Sequence, residues 1–159
     1  MQGRRALETK RNWFHAQKTG QSIKKLDKAL PGRHPRKLYD GLSRSQAALL
    51  VQARSGYCRL NSYLYRISAT ESNLCECGAF ESVRHFILEC RRWSTQRQAL
   101  REKVGARSSD LSFILGAYES AQKDGPLDKW TPNTKAVKAT IEFIQTTGRL
   151  DPQRDTNGT

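Results

Sequence analysis

A cluster of three cysteines and one histidine near the middle of the chain constrains its fold more than any other feature. The pattern is Cys75-x-Cys77-x7-His85-x4-Cys90. Thiolates and imidazoles are ligands that Zn²⁺ prefers, and four of them complete the tetrahedron of a structural site. A tight turn can aim the first two thiolates at one point, and Gly78 permits a left-handed backbone in that turn. The cluster therefore predicts one structural zinc ion as the cofactor.

The other two ligands depend on a helix. Glu81 and Ser82 are typical of a helix start, and such a helix would turn His85 back toward the first two cysteines. Cys90 follows five residues later, so it can reach the same metal only from a helix end or a slightly unwound turn. The residues between these two ligands, 86–88, are apolar and predict a small hydrophobic shell for the site.

A metal-free interpretation also fits these residues. One residue separates Cys75 from Cys77, which is shorter than the usual zinc-finger spacing. The three cysteines could be buried free thiols, with His85 in the core or at the surface, since free cysteine is readily buried.

The compartment bears on this choice. Residues 1–13 lack the apolar stretch of a secretory signal, and no apolar run approaches the roughly 20 residues of a membrane span. We therefore expect an intracellular protein, nuclear or cytoplasmic, that is not secreted and has no membrane partner. Clustered thiols in a reduced compartment hold metal more often than they form disulfides, which favours zinc.

The fourth cysteine is predicted to have no part in the site. Cys58 lies in a helical pattern and is expected to be buried. A nucleophilic thiol needs a positioned base, and no motif surrounds His15 or His34. His34 is instead expected at the surface or in contact with a phosphate.

The charge of the chain predicts an anionic partner. Its 159 residues include 28 Lys and Arg against 15 Asp and Glu, a net charge of +13. Residues 1–60 hold 14 of the basic residues and only three acidic ones, Glu8, Asp27 and Asp40. Such clustering suits contact with phosphates, which releases counterions, although a solvated helix face would look the same. The candidate nucleic-acid contacts are Arg4, Arg5, Lys10, Arg11, Lys24, Lys25, Arg33, Arg36 and Lys37.

Hydrophobic periodicity predicts a mostly α fold, with several short helices around a small zinc-stabilised Cys/His knuckle. We divide the chain into a basic helical N-terminal segment (1–37), a helical region (38–105) with the zinc knuckle (75–90), C-terminal helices (106–150) and a disordered tail (151–159).

Two helices carry clear boundary signals. Ser43 and Gln46 have the spacing of a capping box, and Gly56 is typical of a helix end. The last helix is predicted to open at Thr131 and Pro132 and to end at Gly148. Its buried face is predicted to consist of Val137, Ile141 and Ile144.

Three parts of the sequence resemble one family. They are the run GRHPRKLYDGLSRSQAALLVQARSGYCRLNSYLYRI, the block C-x-C-G-x2-E-S-x2-H-F-I-L-E-C-x2-W and the terminal I-x-T-T-G-R-L. Together they are similar to the C-terminal region of fungal non-LTR (LINE-type) retrotransposon polyproteins, in the reverse-transcriptase zinc-binding segment that follows an RNase H domain. The resemblance covers the chain from about Lys10 to Pro152.

The resemblance implies a CCHC zinc site at Cys75, Cys77, His85 and Cys90. It also implies binding of RNA or DNA in support of target-primed reverse transcription. The chain departs from the family at 53–57, where Leu-Arg-Thr-Gly-His is commoner, and at Ser82, where Thr is commoner. Neither departure falls on a ligand position. No reverse-transcriptase or endonuclease segment is present, so the chain resembles a truncated, stand-alone fragment.

From these patterns we predict a zinc-stabilised nucleic-acid-binding module that has no small-molecule substrate and no catalysis of its own. RNase H chemistry needs a cluster of carboxylates around divalent metal ions, and the acidic residues here are scattered. Nucleic-acid bases could stack on Trp13, Tyr57 or Trp93. The alternative is a truncated element remnant that is inert or recruited as a protein-interaction piece in a host pathway.

Overall fold

Helices and turns make up most of the structure, a computed structural model that describes residues 21–152. The α-helices, numbered in chain order, are α1 (Gln21–Leu26), α2 (Arg36–Tyr39), α3 (Arg44–Ser55), α4 (Asn61–Arg66), α5 (Ser94–Val104), α6 (Leu111–Ile114), α7 (Ala121–Asp124) and α8 (Thr134–Thr147). A π-helix spans His85–Glu89 and a 3₁₀ helix spans Arg91–Trp93. Among the described residues, the only β pairing is an isolated bridge between Leu74 and Phe80. The predicted mostly α fold is confirmed.

Some predictions fall outside the described residues. They include the basic helices predicted before residue 21 and the tail after residue 152. Within the described range, no helix combines the length and the apolar character that crossing a membrane requires.

Helix α3 begins and ends where its sequence signals predict. Ser43 Oγ accepts a hydrogen bond from the backbone N–H of Gln46 at 3.2 Å, and Gln46 Oε1 accepts from the backbone N–H of Ser43 at 3.0 Å. Gly56 ends the helix in the left-handed conformation, with φ of 77°. The capping box and the glycine stop are both confirmed.

Helix α8 begins later than predicted. Its N-cap is Asn133, whose side chain accepts from the backbone N–H of Ala136 at 3.0 Å, so the helix does not open at Thr131 and Pro132. The reason is chemical, because Asn133 supplies the oxygen that a free helix N–H needs and proline cannot. The end of α8 at Gly148 is as predicted.

The core is built around α8. This helix packs most extensively against α5 and also against α3 and α6. Its predicted face is buried, with Val137, Ile141 and Ile144 each 1% exposed. The chain passes very close to this core at Gly116, where φ is +67° and a Cβ would overlap Leu38 and come within 2.9 Å of Val137. Only glycine fits there.

A buried ion pair fixes the start of the described chain to this core. The carboxylate of Asp27 accepts from Arg54 Nη2 at 2.7 Å and lies 2.9 Å from His34 Nε2. Arg54 Nη1 also donates to the carbonyl of Leu115 at 2.6 Å. The expectation that His34 lies at the surface or on a phosphate is wrong, because its side chain is only 13% exposed and faces Asp27.

Candidate metal centre

A tight turn positions the first two cysteines. The backbone N–H of Cys75 donates to the carbonyl of Ala79 at 2.7 Å, and that of Gly78 donates to the carbonyl of Cys75 at 2.8 Å. Gly78 has φ of 93°, in the left-handed region that its sequence position predicts. The turn is closed by the bridge between Leu74 and Phe80, so both thiols project from one small hairpin.

The π-helix positions the other two ligands. Two side chains five residues apart on an α-helix point about 140° away from each other. Here the backbone N–H of Cys90 donates to the carbonyl of His85 at 2.7 Å, an i→i+5 bond that widens the turn. The start of this segment is held by Ser82 Oγ, which accepts from the backbone N–H of His85 at 3.1 Å. Cys90 is also the residue that ends this helix, so it reaches the cluster from a helix end that is also unwound, in agreement with both predicted alternatives.

The four predicted ligands lie together. One ligand atom from each of Cys75, Cys77, His85 and Cys90 lies within 4.8 Å of all the others. Cys75 Sγ is 3.7 Å from Cys90 Sγ, and Cys77 Sγ is 3.2 Å from His85 Nε2. In an ideal tetrahedral site these separations are about 3.8 Å for two sulfurs and about 3.5 Å for sulfur and nitrogen. The cluster can therefore hold a metal ion.

The centre is joined to the hydrophobic core by its own apolar residues. Phe86 is 2% exposed and Ile87 is fully buried. The centroid of the Phe86 ring lies 5.4 Å from the ring centroid of Phe143 in α8 and 6.3 Å from that of Trp93. The shell predicted for residues 86–88 is present, and it makes the metal centre part of the main core.

The charged side chains next to the cluster are of the kind that would stabilise a metal–thiolate centre. Three thiolates, a neutral imidazole and a divalent ion carry a net charge of −1. Arg92 Nη1 donates to Cys75 Sγ at 3.6 Å, and Arg92 Nη2 donates to Glu76 at 2.7 Å. His85 Nδ1 lies 3.9 Å from a carboxylate oxygen of Glu89, which favours presenting Nε2 to the metal.

No protein-family model, curated protein or solved structure matches this chain. The retrotransposon resemblance therefore stays a prediction, and the assignment of the centre depends on its geometry and chemistry.

Sequence reasoning missed the arginine that braces the centre. Arg97 of α5 is 6% exposed, and it donates to the carbonyl of Ile87 at 2.8 Å and to that of Cys90 at 2.5 Å. These carbonyls lie at the end of the π-helix, where helical partners are lost, and that of Cys90 also accepts from the backbone N–H of Trp93 at 3.3 Å. An arginine in a charged helix gives no local signal that it will turn inward.

Sequence reasoning also missed a link between the knuckle and the end of α8. The carboxylate of Glu81 is 1% exposed and takes a two-pronged contact from Arg149, at 2.9 and 2.6 Å. It also accepts from the backbone N–H of Asn61 at 2.7 Å. Both charged residues lie inside the motifs that carry the family resemblance, which is the one signal that could have pointed to them.

The environment of the cysteines separates their chemistry. Burial raises the pKa of the Cys58 thiol to about 11, so at neutral pH it is a protonated and poor nucleophile. Burial also raises the pKa of Cys90 to about 11, whereas a hydrogen bond from the backbone of Ala79 lowers the pKa of Cys77. A metal ion must therefore displace a proton from Cys90 on binding.

Five of the nine predicted nucleic-acid contacts lie within the described residues, close to their start. Arg4, Arg5, Lys10 and Arg11 fall outside the described residues, and Lys24 is half-buried. The remaining four, Lys25, Arg33, Arg36 and Lys37, are exposed, and none has a carboxylate partner among the residues that the structure describes. Most of the basic residues in described ion pairs lie further along the chain. The positive charge of this segment is therefore available to an anionic ligand.

The candidate stacking residues differ in access. Tyr57 is 46% exposed, whereas Trp93 is only 8% exposed and packs against Phe86. Trp93 is thus a core residue and cannot receive a base, and Trp13 lies outside the described residues.

Proposed function

We propose that this protein is a zinc-stabilised nucleic-acid-binding module, without catalysis of its own, derived from the C-terminus of a retrotransposon reverse transcriptase. The observation that carries the proposal is the convergence of four ligand atoms, from Cys75, Cys77, His85 and Cys90, within 4.8 Å of one another. Three thiols and one imidazole form a donor set that zinc uses in closed, structural sites.

The metal has a structural role in this proposal. A closed tetrahedral site leaves no position for water or substrate, so it supplies folding energy instead of Lewis-acid chemistry. Zinc would hold the hairpin at Cys75 against the π-helix at His85–Glu89. The protein would act inside the cell, where its thiols stay reduced and available to the metal.

Nucleic acid is the partner that the charge favours. The net charge of +13 attracts a polyanion, and the exposed basic residues at 33–37 flank the anchored His34. A basic stretch on a fixed support can contact phosphates without a large loss of conformational entropy.

The proposal includes no reaction. Two-metal phosphodiester cleavage needs carboxylates side by side. The two most deeply buried carboxylates, Asp27 and Glu81, are instead each held by an arginine. These two carboxylates are paired with arginines inside the fold and are not arranged to bind catalytic metal ions.

Binding measured over a salt series tests the function. We expect the zinc-loaded protein to bind an oligonucleotide with an affinity that falls steeply between about 50 and 200 mM salt, because each phosphate contact releases counterions. Combining Arg33→Gln, Arg36→Gln and Lys37→Gln should reduce the salt slope by about 1 for each charge that contacts a phosphate. A chelator should abolish binding as the module unfolds.

A matched control separates specific contacts from net charge. Arg84→Gln, Lys103→Gln and Lys123→Gln remove the same charge from side chains that already pair with carboxylates. This control should bind nearly as well as the unmodified protein. Binding that does not change with salt would contradict the mechanism, and failure to fold with zinc would favour an inert remnant.

A further inference from the structure

Exposed apolar side chains concentrate in one stretch of the described chain. Seven large hydrophobic residues are exposed among the described residues, and five of them fall between residues 57 and 80. The five are Tyr57, Tyr65, Ile67, Leu74 and Phe80, each 46–53% exposed. Single exposed apolar residues need no explanation, whereas those that lie together in the fold can form a binding surface.

Two tyrosines and an arginine of this stretch form an organised cluster. The rings of Tyr57 and Tyr63 meet edge to face, with centroids 5.3 Å apart and an angle of 80°. The guanidinium of Arg66 lies 5.3 Å from the first ring centroid and 5.2 Å from the second. We call these three residues the stacking cluster. Its rings are held in place before any ligand binds, and Tyr57 remains half exposed.

The metal centre supports this cluster through α4. Asn61, the first residue of α4, donates from its side chain to the carbonyl of Leu74 at 2.7 Å and from its backbone to Glu81 at 2.7 Å. Leu74 and Phe80 form the bridge of the zinc hairpin and share one face of it. Hydrogen bonds therefore connect the start of α4 directly to the hairpin that carries Leu74 and Phe80.

A basic residue lies on the face of α1 that approaches the start of this cluster. Gly56, directly before Tyr57, lies beside α1, since a Cβ added to it would be 3.9 Å from the side chain of Ser22. Lys25 is one turn further along the same face of α1 and is exposed. Aromatic rings next to unpaired cations form the combination that binds single-stranded nucleic acid, where bases stack and phosphates meet basic side chains.

We propose that the stacking cluster binds single-stranded nucleic acid, with a base on the open face of Tyr57 and the sugar–phosphate backbone toward Arg66 and Lys25. This inference rests on the proposed function and adds the form of nucleic acid and the place where it binds. Tyrosine and arginine also occur in protein interfaces, but the net positive charge and the adjacent lysine favour a polyanion here.

Substitutions at Tyr57 test the proposal. The zinc-loaded protein is titrated at fixed salt with an oligo(dT) or oligo(U) single strand and with a duplex of the same length. We expect Tyr57→Ala to weaken single-strand binding about 5- to 150-fold, the usual effect of losing one stacked base. Tyr57→Phe keeps the ring and should restore the affinity to within about threefold. Both variants should leave the salt slope and the duplex affinity nearly unchanged, because neither removes a charge.

Leu127→Ala provides the matched control, because Leu127 is 48% exposed and lies outside the stretch. An unchanged single-strand affinity for Tyr57→Ala would overturn the stacking proposal while leaving the proposed function intact. An equal loss of duplex and single-strand binding would also overturn it. If the unmodified protein binds neither form, the proposed function itself fails.

Discussion

At the scale of single residues, the four cysteines divide into two kinds. Cys58 and Cys90 are both buried, and burial raises the pKa of each thiol to about 11. Of the two, only Cys90 belongs to a group of ligand atoms among the residues that the structure describes, with Cys75 Sγ at 3.7 Å. The two thiols therefore have similar exposure and similar pKa values but different chemistry. They differ in their neighbours, because only Cys90 lies where a metal ion could bind other ligands as well.

This pair gives a sharp test of the metal centre. We expect Cys90→Ala to remove bound zinc, since a structural site needs all four ligands, and Cys58→Ala to keep one equivalent of zinc per chain. Metal content of the purified proteins, measured by mass spectrometry, decides the outcome. His85→Ala should behave like Cys90→Ala.

Thermal unfolding of the same variants supplies the second readout. Cys90→Ala should lose the cooperative transition of the zinc-loaded protein, because zinc binding and folding of the knuckle are one process. Cys58→Ala should retain that transition at a somewhat lower temperature, as expected for a small cavity. Full zinc content in Cys90→Ala would mean that the ion is held elsewhere.

At the scale of secondary-structure elements, the centre joins a hairpin turn to a π-helix. The turn follows from local rules, because Gly78 takes the left-handed conformation that the Cys75–Cys77 spacing needs. The π-helix follows from the spacing of His85 and Cys90, which no regular α-helix would bring together. The ligand spacing thus indicates the local backbone before any tertiary contact is known.

The tertiary contacts of these elements could not be predicted from the local sequence. The capping box at Ser43 and the stops at Gly56 and Gly148 depend on neighbours in sequence, so their patterns identify them. Arg97 and His34, by contrast, sit among charged or polar neighbours and still turn inward. Whether a charged side chain is buried depends on segments that meet only in the folded chain.

Arg97 provides a prediction at this scale. Replacing it with methionine keeps the length of the side chain but leaves the carbonyls of Ile87 and Cys90 without its N–H groups. The Cys90 carbonyl keeps the backbone N–H of Trp93 at 3.3 Å, whereas the Ile87 carbonyl loses its Arg97 donor. An unsatisfied buried carbonyl costs roughly 1–3 kcal/mol, so we expect Arg97→Met to lower the free energy of unfolding by about 1–3 kcal/mol. Urea unfolding of the zinc-loaded protein measures the change.

The neighbouring turn of α5 offers the control. Arg101 is four residues further along and exposed, so Arg101→Met should change the free energy of unfolding by no more than about 0.5 kcal/mol. Equal stability of the two variants would show that the brace at Arg97 adds nothing to the centre.

At the scale of the whole molecule, two buried ion pairs connect segments that are far apart in sequence. Asp27 and Arg54 fix the first described residues to α3, and Glu81 and Arg149 fix the knuckle to the end of α8. Burial of an ion pair adds little net stability compared with an apolar pair, but breaking one leaves a charge without compensation. The two pairs connect the basic segment and the metal centre to the same core.

The pair at Glu81 makes this argument measurable. We expect Arg149→Met to lower the free energy of unfolding by about 3–5 kcal/mol, because the Glu81 carboxylate stays buried without its partner. Adding Glu81→Gln removes that charge while keeping an oxygen for the Asn61 N–H. The double variant should then be more stable than the sum of the single changes by about 1–3 kcal/mol.

Arg84→Met is the control, because it breaks an exposed ion pair with Glu89 and should change stability by less than about 1 kcal/mol. Additive effects in the cycle would mean that the two residues do not act as a unit, and the link between knuckle and core would then rest on apolar packing alone.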